Sequence, residues 1–131
     1  MEQVIRGIIG PMFAYQKRNN VQGKCITNAV YFMDSLNASL GFRVARVKAT
    51  IALWVDEEKE TSTTCVHMVV MVGDTIWDPS FEVARHDVYY IDKLSHFPRC
   101  EKSSGLSLRE CFSLFLHFLE IEKRINSGGL L

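Results

Sequence analysis

"TCVHMVVMVGDTIWD", residues 64–78, sets two apolar runs on either side of Gly73-Asp74. Glycine and aspartate are good two-residue turn formers, so the stretch reads as a tight β-hairpin. With Gly73-Asp74 as the turn, Val72 faces Thr75, Val70 faces Trp77 and Val69 faces Asp78. Side chains alternate along a strand, so His67, Val69 and Met71 share one face, and Asp78 falls on it too. Asp78 is then the diagonal neighbour of His67, at a backbone separation of roughly 7–8 Å that the two side chains bridge. Trp77 goes to the other face with Met68, Val70 and Val72. A slip of one residue would send one member of the pair across the sheet. The register therefore decides whether an imidazole and a carboxylate stand side by side.

Upstream, "FRVARVKATIALWV", residues 42–55, is rich in β-branched and aromatic residues and reads as a strand. The polar "DEEKETST", residues 56–63, reads as a solvated loop. From Lys24 to Leu40, apolar residues fall at Cys25, Ala29, Val30, Phe32, Met33, Leu36 and Leu40. These are helical steps of three and four, and Gly41 sits where a C-cap belongs. Residues 3–18 read as a helix interrupted near Pro11, and Asn19 and Asn20 open a polar loop that runs through Gly23.

Downstream, "FEVARHDVYYIDKL", residues 81–94, holds a short strand, and "SHFPRCEKSSG", residues 95–105, is a loop. A last helix runs from about Leu108 to Ile125, opened by the capping box of Ser107 and Glu110 and followed by Gly128-Gly129. The expected fold is α+β: N-terminal helices, an antiparallel β-sheet and a C-terminal helix in a single domain, residues 1–131.

With 47% hydrophobic and 23% charged residues, the chain has the composition of a globular domain with a substantial core. Fifteen basic residues balance fifteen acidic ones, which argues against nucleic acid and membrane surfaces as partners. Arg6 and Pro11 break the N-terminal apolar segment, so it does not read as a secretion signal. No apolar run approaches the roughly 18 residues of a membrane helix. A cytoplasmic location is expected, where thiols stay reduced. Cys25, Cys65, Cys100 and Cys111 form no C-x-x-C and no zinc-site spacing, so free thiols are expected and no metal or cofactor.

Each conspicuous residue has an ordinary reading. A cysteine in a helix is commonly a small buried filler, a strand histidine a satisfied core residue, and an aspartate before proline a turn former. Their combination fits one mechanism. A nucleophilic thiol needs a base, and the base needs a group that fixes its tautomer and stabilises its cation.

Gly23, Cys25 and Ala29 make a G-x-C-x-x-x-A motif at the start of a helix, and Gly41 and "ARVK" from Ala45 follow it. His67 then lies on a strand, and "WDPS" from Trp77 closes the set. In this order, across about residues 19–81, the chain resembles the transglutaminase-like branch of the papain-type cysteine enzymes. The family pattern departs at Met68 and Val69, where an aromatic often follows the histidine, and at Ile26, where animal transglutaminases often carry one. The resemblance implies a papain/transglutaminase-like fold with Cys25 as nucleophile, His67 as general base and acid, and Asp78 as the orienting carboxylate.

The implied activity is a cysteine-dependent attack on amide bonds of a protein or peptide substrate, through a thioester. Water as acceptor gives a peptidase or deamidase; a lysine amine gives a transglutaminase. The positive end of the helix dipole and Lys24 both favour a Cys25 thiolate. The N–H of Cys25 is one oxyanion donor, and papain-like enzymes add a side-chain amide about six residues earlier, where Asn19 stands; Gln22 and Asn20 are alternatives. Cys65 points to the face of His67 and reads as packing. A metal site built from Cys25, Cys65, His67 and Asp78 is disfavoured, since only Cys65 and His67 are close in sequence. His86 and His96 carry no role, and His117 reads as packing or capping its own face within the last helix. The alternative to an enzyme is a non-catalytic interaction module that keeps the fold. A thiol acetyltransferase is a weaker third reading, because its usual signature around the cysteine is absent.

Overall fold

The computed structural model describes residues 1–56, 58, 61–91 and 108–128. The elements in chain order are α1 (Glu2–Asn19), α2 (Cys25–Leu40), β1 (Ala45–Asp56), β2 (Thr61–Val72), β3 (Thr75–Trp77), α3 (Phe81–Ala84), β4 (Tyr89–Ile91) and α4 (Leu108–Asn126). The fold is α+β, with a four-stranded antiparallel sheet in the order β3-β2-β1-β4 and helices toward both ends of the chain. No helix among the described residues is long and apolar enough to cross a membrane.

The chain divides into two compact units, Met1–Lys48 with Met68–Ala84, and Ala49–His67 with Arg85–Leu131. In the first unit, Ile5, Ile9 and Gln16 recur at helical spacing on α1 and are buried. This stripe stays in phase across Pro11, and α1 runs unbroken, contrary to the interruption expected there. Proline removes one backbone donor, which would have bonded the Gly7 carbonyl. Both Pro11 and Gly7 are exposed, so the lost bond falls on the solvent side while the buried stripe holds the helix together.

Asn20 ends α1 in the left-handed conformation, φ 50° and ψ 47°. Its N–H and that of Val21 return to the last turn, the latter to the Gln16 carbonyl at 3.0 Å, as a Schellman closure requires. α2 begins at Cys25 and ends at Gly41, whose φ of 77° and N–H to the Asn37 carbonyl make the expected C-cap. Asn37 then fastens the next strand. Its Oδ1 accepts from Val44 and Ala45 N–H at 2.8 and 2.9 Å, and its Nδ2 donates to the Ala45 carbonyl at 3.1 Å.

β2 and β3 pair with Val70 opposite Trp77, Met71 opposite Ile76 and Val72 opposite Thr75. This is the register that a Gly73-Asp74 two-residue turn requires. β2 is an interior strand, and Val66 through Val72 are buried without interruption, as a strand covered on both faces demands. Two local expectations change. Residues 61–63 join β2 instead of a loop, and the four residues after Ser80 wind into α3 before β4.

In the second unit, β4 pairs antiparallel with β1, Ile51 opposite Ile91 and Leu53 opposite Tyr89. Thr50 Oγ1 donates to the Ile91 carbonyl at 2.7 Å, and Glu122 of α4 accepts the N–H of Ala49 at 2.8 Å. Cys111, Phe115 and Ile125 form the buried stripe of α4. His117 is exposed on that helix, so it is not part of its packed face. His86 stacks on Trp54, ring centroids 5.1 Å apart and planes 12° from parallel. Ser107 of the expected capping box, Cys100, His96 and the loop 95–105 lie outside the described residues.

Candidate functional site

Cys25 is the first residue of α2 and is partly exposed. The residue before it, Lys24, has φ −117° and ψ 30°, and no side chain caps the helix start. Cys25 therefore stands at the positive end of a helix that its N-cap side chain does not close. Gly23 gives the chain its turn into α2. Its φ of +68° is left-handed, and its N–H donates to Glu82 Oε1 at 2.9 Å. The glycine of the G-x-C motif thus has a conformational reason of its own.

Asp78 belongs to the same unit. It follows β3 directly, and one further step of the observed register sets it opposite Val69. Asp78 is buried, and its Oδ1 accepts the N–H of Ser80 at 2.9 Å in an Asx turn. His67 is buried on β2, two residues before Val69, and is the last residue of the second unit's segment of that strand. Cys65, also in the second unit, precedes it by two positions and is partly exposed.

The segment "DPSFE", residues 78–82, is clamped from both α1 and α2, by residues that the sequence alone did not single out. Gln16 Nε2 donates to the Pro79 carbonyl at 2.7 Å, and Gln16 Oε1 accepts from Phe81 N–H at 2.9 Å. Asn28 Nδ2 donates to Ser80 Oγ at 3.1 Å and lies 3.4 Å from Gln16 Oε1. Phe13 meets Phe81 at a centroid distance of 5.6 Å, and the Arg6 guanidinium lies 5.8 Å from the centre of the Trp77 ring. One face of α1 therefore grips residues 77–81, while Asn28 brings the first turns of α2 to the same place. A signal for Gln16 was present in the sequence: it is polar at a position in phase with Ile5 and Ile9.

The upstream amides are occupied locally. Asn19 Nδ2 donates to the Tyr15 carbonyl of its own helix at 2.8 Å, and Gln22 Nε2 lies 3.5 Å from Asn20 Oδ1; all three residues are exposed. A cavity of about 550 Å³ opens between α1 and α2, with Tyr15, Gln16, Val21, Asn28 and Tyr31 among its lining and no charged side chain. Cys111 differs from Cys25. It is buried on α4, and burial pushes its thiol above the ordinary value. Among the described residues, no three His, Cys, Asp or Glu side chains cluster to hold a metal ion.

No protein-family model matches this chain, and neither a curated protein nor a solved structure is detectably similar to it. The functional reading therefore stands on the residues themselves.

Proposed function

We propose that this protein is a cysteine-dependent enzyme acting on amide bonds of proteins or peptides, with a papain/transglutaminase-like fold. Cys25 is the nucleophile, His67 the general base and acid, and Asp78 the carboxylate that orients the imidazole. The observation that supports this reading is the β2–β3 register, in which Val70 lies opposite Trp77 as the two-residue turn requires. The partly exposed thiol at an uncapped helix start adds to it.

The thiolate attacks the carbonyl carbon, and the Cys25 N–H donates to the oxyanion. A side-chain amide from Asn19 or Gln22 is the second donor in this scheme. His67 passes its proton to the departing amine, the C–N bond breaks, and a thioester remains. Water or a primary amine then attacks the thioester and releases the thiolate. The substrate in this scheme is a protein or peptide. A cytoplasmic setting, with reduced thiols, is part of the same proposal.

A non-catalytic interaction module is the second reading, and the Asx turn of Asp78 favours it, because that bond gives the carboxylate a structural task. Iodoacetamide labelling across pH, mapped by mass spectrometry, separates the two. The enzyme predicts selective labelling of Cys25 below about pH 7 that His67→Ala abolishes. Slow, equal labelling of all four thiols would overturn it. Ammonia or new amines released from a peptide library, with and without a primary amine acceptor, then separate hydrolase from transferase.

A further inference from the structure

We propose that Asn28 is a positioning residue for Cys25, acting through Ser80 and the turn that holds Asp78. This inference rests on the assignment of Cys25 as nucleophile. Asn28 lies three residues beyond Cys25 on α2, so the two side chains are neighbours one turn apart on the helix surface. Any rotation of the first turns about the helix axis moves both. No side chain caps the start of α2, and helix ends fray unless something holds them.

Asn28 supplies that hold from inside the fold. Its Nδ2 donates to Ser80 Oγ at 3.1 Å and lies 3.4 Å from Gln16 Oε1. Both anchors are firm, since Ser80 is fully buried and Gln16 nearly so. The N–H of the same Ser80 donates to Asp78 Oδ1 at 2.9 Å. A chain of two hydrogen bonds, Asn28 to Ser80 to Asp78, thus runs from the helix that carries the thiol to the carboxylate. Asparagine is a poor helix former, so its contribution at this place is the amide. Asn28 touches no reacting atom in this scheme. It fixes how the first turn of α2 presents Cys25 and, through one serine, where the Asp78 turn lies.

The test is the pH profile of Cys25 alkylation by iodoacetamide, with Cys65 as an internal reference, in the parent, Asn28→Ala, Ser80→Ala and the double variant. The expected result is a Cys25 reaction about tenfold slower at neutral pH in each single variant. The double variant should be no slower than Asn28→Ala alone, because Ser80→Ala removes a bond that Asn28→Ala has already removed. Asn28→Leu, which keeps the volume and removes the amide, replaces Asn28→Ala if that variant does not fold. Cys25 profiles superimposable on the parent, with only the melting temperature lowered, would overturn the positioning role. A parent in which Cys25 is not selectively reactive would overturn the nucleophile assignment itself, and that outcome is read before any variant is made.

Discussion

Gln16 reaches across 63 positions of sequence to donate a 2.7 Å hydrogen bond to the Pro79 carbonyl, and the same amide accepts the N–H of Phe81. A polar side chain in the buried stripe of α1 is tolerated because the chain opposite it, broken by Pro79, has backbone groups that no strand partner satisfies. Gln16→Leu keeps the volume and leaves a buried acceptor and a donor unpaired. The expected loss is about 2–4 kcal/mol, read as a lower urea midpoint with unchanged slope.

Gly41→Ala tests the end of α2. A Cβ at φ 77° costs about 1 kcal/mol, although open space surrounds the position. Gly41→Asn should cost less, since asparagine enters the left-handed region more readily. Thermal denaturation of the two variants checks the order.

Glu122 fastens α4 to β1 by accepting the N–H of Ala49, a buried residue. Glu122→Ala removes the acceptor and should cost about 1–3 kcal/mol. Glu122→Gln retains a carbonyl oxygen and should recover most of that loss. Equal destabilisation by both would show that the charge, not the hydrogen bond, is what matters.

Cys111 gives a pH dependence of definite sign. Burial holds its thiol protonated, so its folded-state pKa lies above the unfolded one. Its contribution to stability is fully present below the unfolded thiol pKa. It is lost as pH rises from there through the folded value. Cys111→Ala should flatten the alkaline fall in the urea midpoint. In the native parent, Cys111 should alkylate only when unfolding exposes it.

Much of the architecture is legible from neighbouring residues. Gly73-Asp74 between apolar runs fixes the β2–β3 register, because a two-residue turn admits one pairing. The spacing from Cys25 to Leu40, with Gly41 after it, bounds α2 correctly, since helical period and a left-handed cap are both local properties. The apolar run from about Leu108 to Ile125 bounds α4 in the same way, to within a residue of Leu108–Asn126. At the candidate site, Cys25 was legible as the head of a helix, and Asp78 as the residue that ends the hairpin.

Tertiary contact decided the rest. Local rules break a helix at Pro11, yet α1 continues, because burial of Ile5, Ile9 and Gln16 outweighs one lost bond on a wet face. The pairing of β4 with β1, and the Asn28–Ser80 bond, join residues tens of positions apart that no local period connects. The sequence by itself determined α2, α4 and the hairpin register, because helical period, turn chemistry and side-chain alternation act within a few residues. Only the folded chain decided how Gln16, Asn28 and Ser80 grip the Asp78 turn, because each amide found its partner through burial of polar groups that had to be satisfied.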